Sequence, residues 1–325
     1  MLGVGTRWSD FTTASRSIFA DPDVRFVNLN VAPVDAFKHA GLPLVVDARE
    51  GLEGLRGALE GWSADPDHTE RARSLAAEWD ATVERAYTLG HAPLPAQSEV
   101  LGVVNRVSGP RDVVVCAAGS MPGDLHKLWR TRDPKGYHVE YGFSCMGYEI
   151  AGGLGVKMAA PDREVYVMVG DGSFLMMAQE IVTAVQEQIK LTIVLVQNHG
   201  FASIGALSES VGSQRYGTRY RTRDGELLPV DLAATAAGLG ADVKRATTID
   251  ELEAALREAA ASEHITVVEV QTDPLVGAPS SEAWWDVPVA EVSQLDSTRT
   301  ARRTYEQNKQ TQQTYLTPRE KVSTP

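Results

Sequence analysis

Four runs of continuous apolar, β-rich residues organise the larger part of the chain: DVVVCAA (112–118), EVYVMV (164–169), LTIVLVQ (191–197) and ITVVEVQ (265–271). Their apolarity does not alternate, so each strand is predicted to be covered on both faces, as in a parallel sheet. Helical patterns lie between them. Residues 174–189 carry Ala178, Ile181, Val182, Val185 and Ile189 at the spacing of a helix with one buried face. Strand–helix alternation of this kind predicts an α/β fold, a doubly wound parallel sheet with right-handed crossovers.

Upstream, RFVNLNV (25–31) and PLVVDA (43–48) read as strands and LGVGT as a short strand and turn. Leu52, Leu55, Leu59 and Trp62 follow at helical spacing. Residues 1–62 thus predict part of a Rossmann-like central domain. Residues 63–97 predict a linker with one helix, striped by Leu75, Trp79 and Val83. Residues 98–285 form the regular α/β domain. Residues 286–325 are rich in Gln, Thr and Arg and are expected to form a C-terminal tail with a mobile end. There is no internal repeat.

The length of 325 residues is consistent with about two domains. The 43 Asp plus Glu exceed the 31 Lys plus Arg, for a formal charge of -12. That argues against a general nucleic-acid binder, whose affinity comes from neutralising phosphates. No apolar run is long enough to span a bilayer, and the N-terminus is not a secretory signal. Two cysteines, Cys116 and Cys145, do not make a disulfide framework. A reduced, cytoplasmic setting is expected. The chain opens inside a strand pattern, which predicts that a further segment belongs upstream.

The candidate chemistry sits at Gly170-Asp171-Gly172-Ser173 and at Asn198. Asp171 follows the strand 164–169 and Asn198 ends the strand 191–197. The 25 residues between Gly172 and Asn198 read as one helix and one strand. This βαβ unit brings a carboxylate and an amide oxygen to the carboxyl rim of a parallel sheet, where such sheets bind ligands. A carboxylate, an amide oxygen and a backbone carbonyl suit a hard cation such as Mg²⁺, which takes part of its oxygen shell from phosphates. The glycines allow a diphosphate close to the backbone, and a helix start offers N–H donors to it.

These residues resemble the thiamine-diphosphate-dependent enzymes, whose signature is GDG followed after some 25 residues by Asn. GDGSFLMMAQEIVTAVQEQIKLTIVLVQNHGF is similar to the cofactor domain of the acetolactate synthase group. Within that group, AAGSMPGDLHKLWRTRDPKGYHVEYGFSCMGYEIAGGLG, NHGFASIGALS and APSSEAWWDVPVAEVSQLDST resemble the hydrolases that open trihydroxycyclohexane-1,2-dione in myo-inositol breakdown. The resemblance implies thiamine diphosphate and Mg²⁺ as cofactors. It implies a hydrolytic C–C ring cleavage giving 5-deoxyglucuronate, in a homo-oligomer with no membrane or nucleic-acid partner.

Residue by residue, the resemblance implies that Asp171, Asn198 and the Gly200 carbonyl hold the metal. Gly119, Ser120, Gly170, Gly172 and Ser173 would meet the diphosphate. Met146 would prop the cofactor in a bent form, and the Ser144 carbonyl would meet its aminopyrimidine. His138, His199 and Ser203 are candidates for catalytic contact with substrate, with His126 a further one. Cys145 is expected to be a small packed residue, Trp284 and Trp285 a lid or an interface anchor, and the arginine-rich 215–223 a solvated loop. No glutamate here matches the family's activating glutamate, which lies on a pyrimidine-binding domain. A partner chain or upstream segment bearing that domain is therefore expected, without which this chain would be inactive. An acetolactate-synthase-like carboligase and a non-catalytic cofactor-binding fragment remain open alternatives.

Overall fold

The computed structural model describes residues 1–280 and 283–315. Two compact units account for the chain: residues 1–73, 211–213 and 280–325 in one, residues 74–210 and 214–279 in the other.

In the first unit, β1 (Leu2–Val4), β2 (Val27–Asn30) and β3 (Leu42–Val45) form a parallel sheet in that order. Between its strands lie the short helices α1 (Asp10–Thr13) and α2 (Pro33–Ala36), and α3 (Ala48–Ala58) follows β3. Asp47 caps α3, its carboxylate accepting the Arg49 N–H at 2.8 Å. Trp8 packs edge-on to Phe19 and Phe26, and its indole N–H donates to Asn28 Oδ1 at 2.7 Å.

The division falls within a long helix, α4 (Pro66–Tyr87). Its second half belongs to the second unit. Val83, Ala86 and Tyr87 are buried there, and the Trp79 indole donates to the Lys127 carbonyl at 2.9 Å. Next come α5 (Gln97–Val107), β4 (Val113–Cys116), α6 (Ser120–Leu128), β5 (Tyr137–Val139), α7 (Tyr148–Ala159) and β6 (Val165–Gly170). They are followed by α8 (Asp171–Met177), α9 (Glu180–Gln186), β7 (Thr192–Gln197), α10 (Ala202–Ser210), α11 (Leu232–Gly238), β8 (Asp242–Ala246), α12 (Ile249–Ala261) and β9 (Thr266–Gln271).

The six strands are all parallel, in the order β5-β4-β6-β7-β9-β8. The four apolar runs of the sequence are the four inner strands. One face packs Val114, Cys116, Tyr166, Met168, Val194 and Val196 against α5, α6 and α12. The other packs Val115, Val167, Ile193 and Val267 against α7, α9 and α11. Both faces are therefore apolar, as continuous rather than alternating hydrophobicity requires.

Two expectations need correction. The helix predicted over 174–189 is two helices, α8 and α9, separated at Ala178–Gln179. Ile181 and Ala184 form the buried side of α9, while Val182 and Val185 of the expected stripe are exposed. Cys145 is exposed rather than packed, and its backbone N–H donates to Glu140 Oε2 at 2.7 Å.

The segment after residue 285 contributes α13 (Asp296–Asn308) to the first unit. Trp284 and Trp285 also lie in this unit. The Trp284 carbonyl accepts the Ser17 hydroxyl at 2.8 Å, and the Trp285 ring lies 5.9 Å from that of Phe11. The expected mobile end coincides with residues 316–325, which lie outside the described residues. No helix among the described residues is long and apolar enough to cross a membrane.

Candidate active site at the carboxyl rim of the sheet

The inner strands β4, β6 and β7 end side by side, and their following loops surround one cleft. It is lined by Gly119 and Ser120 after β4, by Gly170 at the end of β6 with Asp171, Gly172 and Ser173 after it, and by Asn198 and Gly200 after β7. Met146 and Ser203 also line it. The chain thus brings together ten positions singled out from the sequence.

Asp171 is 1 % exposed. Its Oδ1 accepts its neighbour's N–H, that of Gly172, at 2.8 Å. Its Oδ2 accepts the backbone N–H groups of Asn198 at 3.2 Å and Gly200 at 3.1 Å. Burial raises the Asp171 carboxyl above the usual range, and these backbone donors oppose that rise. A bound cation would favour the ionised form.

Asn198 completes the argument. Its Oδ1 is buried and accepts no hydrogen bond among the described residues. A buried amide oxygen without a donor costs free energy unless something occupies its lone pairs. A metal ion in the cleft that Asn198 shares with Asp171 would satisfy that requirement. No cluster of three His, Cys, Asp or Glu side chains able to hold a metal exists among the described residues. The oxygens that Asp171 and Asn198 could offer, one carboxylate with neutral oxygens, would fit Mg²⁺ sharing its shell with phosphate oxygens.

Helix starts supply the rest. Neither α6, preceded by Gly119, nor α8, preceded by Gly170, has a side-chain cap. Apart from the Gly172 N–H, which Asp171 Oδ1 takes, first-turn N–H groups of both helices lack intrahelical acceptors and border the cleft, where they suit an anion. At Gly119, φ is +94° and no atom stands within 4 Å of where a Cβ would be. Glycine there is favoured by the backbone conformation, since space for a side chain is not lacking.

Three supports were not read from the sequence. Glu149, 1 % exposed, accepts the Gly147 N–H at 2.9 Å and the Ala118 N–H at 3.4 Å, and is bonded by the Ser173 side chain. One carboxylate thus ties together the loop after β4, the start of α7 and the first turn of α8. Burial raises its pKa. Gln97 also lines the cleft, accepting the Ser120 hydroxyl at 3.3 Å and donating to Asp124 Oδ2 at 2.7 Å. It stands in the polar first turn of α5 with Ser98 and Glu99, so nothing in the sequence set it apart. The arginine-rich loop is the third. Its backbone pairs with 199–201, Phe201 N–H donating to the Thr218 carbonyl at 2.8 Å and Tyr220 N–H to the His199 carbonyl at 2.9 Å. Burial, with the nearby Asp171 charge, pushes the Tyr220 hydroxyl up to about 12.

The remaining sequence candidates stand elsewhere. His138, on edge strand β5, has its Nε2 2.7 Å from the Tyr148 hydroxyl and stacks on that ring. His199 has φ of +58°, and its ring lies between Gln197 and Gln271 rather than in the cleft. Ser144 is exposed with φ of +55° and does not line the cleft. His126 Nδ1 lies 2.9 Å from the Pro122 carbonyl and 3.0 Å from the Tyr137 hydroxyl. Cys116 is buried in β4, with its thiol pushed up to about 12 by burial, so it is no nucleophile at neutral pH.

A cleft of this construction, at the carboxyl rim of a parallel sheet, is of the kind in which open α/β domains bind ligands. Residues 117–270 match the family described as thiamine pyrophosphate enzyme, C-terminal TPP binding domain, and the chain belongs to the thiamine pyrophosphate enzymes through that domain. Among curated proteins, the 3D-(3,5/4)-trihydroxycyclohexane-1,2-dione hydrolases of Bacillus licheniformis and Bacillus subtilis are each 38% identical to it. Each alignment covers 93% of this chain and 51% of the relative, so the chain spans about half the length of these proteins. Among solved structures, the thiamine diphosphate-dependent 4-hydroxybenzoylformate decarboxylase of Rhodococcus jostii superposes with a TM-score of 0.60 at 17% identity. That match covers 77% of this chain and 44% of the other, and it supports the fold alone.

Proposed function

We propose that this chain provides the diphosphate and metal side of a thiamine-diphosphate- and Mg²⁺-dependent hydrolase that cleaves a ring C–C bond of trihydroxycyclohexane-1,2-dione to give 5-deoxyglucuronate. The observation that carries the cofactor reading is that Asn198, whose buried Oδ1 has no partner among the described residues, lines the same cleft as Asp171. The substrate reading rests on the 38% identity to hydrolases of that name.

Asp171, Asn198 Oδ1 and the Gly200 carbonyl would hold the metal. Gly119, Ser120, Gly170, Gly172 and Ser173 would bind the diphosphate through backbone N–H groups and hydroxyls. Met146 would give the cofactor an apolar support, and the Ser144 carbonyl would accept from its aminopyrimidine. When bound, thiamine diphosphate supplies the electron sink for C–C cleavage. The protein orients the substrate, limits water to the step that needs it, and moves protons. Ser203 lines the cleft and would hold a substrate oxygen. His138, paired with the Tyr148 hydroxyl, and His199 would act on protons only from the edge of the site.

Apolar side chains beside the cleft support a site completed by another surface. Leu175, Met176 and Met177, beyond the buried Phe174 on α8, are exposed, as is Ile204, which lines the cleft. Such contiguous exposed apolar surface marks interaction sites. The activating carboxylate and the pyrimidine-side contacts would come from that surface, in the same polypeptide or in another copy.

Titration calorimetry of the chain with thiamine diphosphate tests the cofactor reading. Binding should require Mg²⁺. Dione consumption, measured with a complete pyrimidine-side partner supplied, tests the reaction. Acetolactate formed from pyruvate with no loss of dione would replace the hydrolase reading by a carboligase.

A further inference from the structure

A chain of hydrogen bonds leads out of the cofactor cleft through Ser120, Gln97 and Asp124. The Ser120 hydroxyl donates to Gln97 Oε1 at 3.3 Å, and Gln97 Nε2 donates to Asp124 Oδ2 at 2.7 Å. Ser120 and Gln97 line the cleft. Ser120 and Asp124 stand one turn apart on the same face of α6, and Gln97, in the first turn of α5, bridges them. Gln97 is 6 % exposed, so water offers its amide little else.

With Asp124 ionised, the direction of each bond is fixed. A carboxylate only accepts, so Gln97 turns its NH₂ group toward Asp124. The Gln97 carbonyl oxygen then faces Ser120 and also only accepts, so it takes the one hydroxyl proton of Ser120. Ser120 Oγ is left with lone pairs for the cleft. A phosphate oxygen asks for that same proton. The opposite arrangement needs one proton on Asp124. The carboxylic acid then donates to Gln97 Oε1, the amide turned over donates from Nε2 to Ser120 Oγ, and the Ser120 proton is free to meet a phosphate oxygen. Every donor and acceptor is paired again.

The surroundings of Asp124 permit that proton. Burial, foremost, raises its carboxyl above the usual range, with Gln97 and Lys127 opposing. Lys127 Nζ, on the same helix, stands 4.0 Å from Oδ1 and donates to the Pro279 carbonyl at 3.2 Å. His126, also on α6, is turned to the Pro122 carbonyl and the Tyr137 hydroxyl. From α5, the Glu99 carboxylate is turned to the N–H groups of Gly90 and Ala96.

We infer that Asp124 is a proton-linked positioning residue for the cleft: a proton on Asp124 and a diphosphate at Ser120 favour each other's binding, because Gln97 turns over and redirects the Ser120 hydroxyl to a phosphate oxygen. The inference rests on the cofactor reading for the identity of the anion. By reciprocity, whatever factor the proton adds to diphosphate affinity, the diphosphate adds to proton affinity.

The test is calorimetry of the whole chain with thiamine diphosphate and with inorganic pyrophosphate, each with Mg²⁺. Asp124→Asn keeps the side-chain shape and donates to Gln97 without a proton from solvent. At about pH 8 it is expected to bind both ligands about tenfold more tightly than the parent. A loss of structure would weaken binding, so a gain separates positioning from packing. As pH is lowered toward about 4, the parent should gain on the variant until the two agree, while their ratio cancels the titration of the ligand and of Asp171. In a Ser120→Ala background, Asp124→Asn should leave affinity unchanged. Gln97→Leu cuts the chain and gives a second readout. In buffers of different ionisation enthalpy, the parent should take up more protons on binding than this variant at a pH within that range. An Asp124→Asn variant that binds no more tightly than the parent at about pH 8 overturns the inference. So does an equal gain in the Ser120→Ala background, or equal proton uptake by the parent and Gln97→Leu throughout the range. If pyrophosphate binds and thiamine diphosphate does not, the cofactor reading fails, and the same comparisons on pyrophosphate decide this inference. Binding of neither overturns it.

Discussion

Asp171 Oδ2 accepts the backbone N–H of Asn198, 27 residues further along the chain, while the Asn198 side-chain oxygen is buried and accepts no hydrogen bond among the described residues. The carboxylate thus fixes the backbone that carries the amide, and both residues line one cleft. Asp171→Asn keeps an acceptor for the backbone and removes the charge. It is expected to weaken Mg²⁺-dependent thiamine diphosphate binding by roughly 100-fold or more, beyond the ~10–100-fold typical of losing a group behind a metal ligand. Calorimetry with circular dichroism as the folding control checks this. A variant that binds as tightly as the parent would remove Asp171 from the metal site.

Glu149 permits a prediction about pH. Its folded pKa is raised, first of all by burial, so between the unfolded value and the folded one the native state holds more proton than the unfolded state. Stability then falls as pH rises through that window, and the penalty is complete above the folded pKa. Glu149→Gln has no such titration and keeps the side-chain shape. The difference in unfolding free energy, variant minus parent, should grow as pH is raised from about 4 toward neutrality. Denaturant unfolding at several pH values measures it. The same variant should weaken cofactor binding, because Ala118, Gly147 and Ser173 all depend on this carboxylate for their position.

The four inner strands were legible because burial on both faces leaves unbroken apolar runs. The two edges were not. β5 has only three residues, all partly exposed, and β8 reads DVKRA. Edge strands carry charge that hides their hydrophobic pattern. The GDGS…Asn pair was legible from its spacing alone, since a strand–helix–strand unit fixes where both ends fall. Glu149 and Gln97 were not, because a buried polar residue beside apolar neighbours gives no periodic signal. Nor was the direction of His199, which depends on a positive φ that no spacing reveals.

Gly200 carries a backbone constraint of its own. Its φ is +151°, and a Cβ there would stand 2.1 Å from the Thr218 carbonyl oxygen. Gly200→Ala must break the pairing between 199–201 and the arginine-rich loop or shift it. A cost of about 1–3 kcal/mol is expected, seen as a lower thermal midpoint. Cofactor affinity should fall as well, since the Gly200 N–H helps hold Asp171. An alanine variant with unchanged midpoint and affinity would show that this segment relaxes freely.

The first unit contains a polar hub with a clear consequence. Asp286 accepts the Tyr305 hydroxyl at 2.7 Å, the Lys309 ammonium at 2.8 Å and the Gln312 amide at 3.0 Å. Its own N–H donates to the Ser15 hydroxyl at 2.9 Å. This joins α13 to the chain that follows α1. Lys309 foremost, then Tyr305, holds the carboxyl below its ordinary range. For a depressed pKa the stabilisation is present above the unfolded value, about 3.9, and is lost as pH falls through the folded value. Asp286→Asn removes the charge without changing size. At neutral pH, hydrogen-exchange protection of the α13 amides should drop in this variant. Corrected for intrinsic exchange, the parent's advantage should shrink as pH falls below the unfolded value, about 3.9, and vanish below the folded one. Equal protection of parent and variant at neutral pH would mean that apolar contacts hold α13 in place, with the hub a passenger.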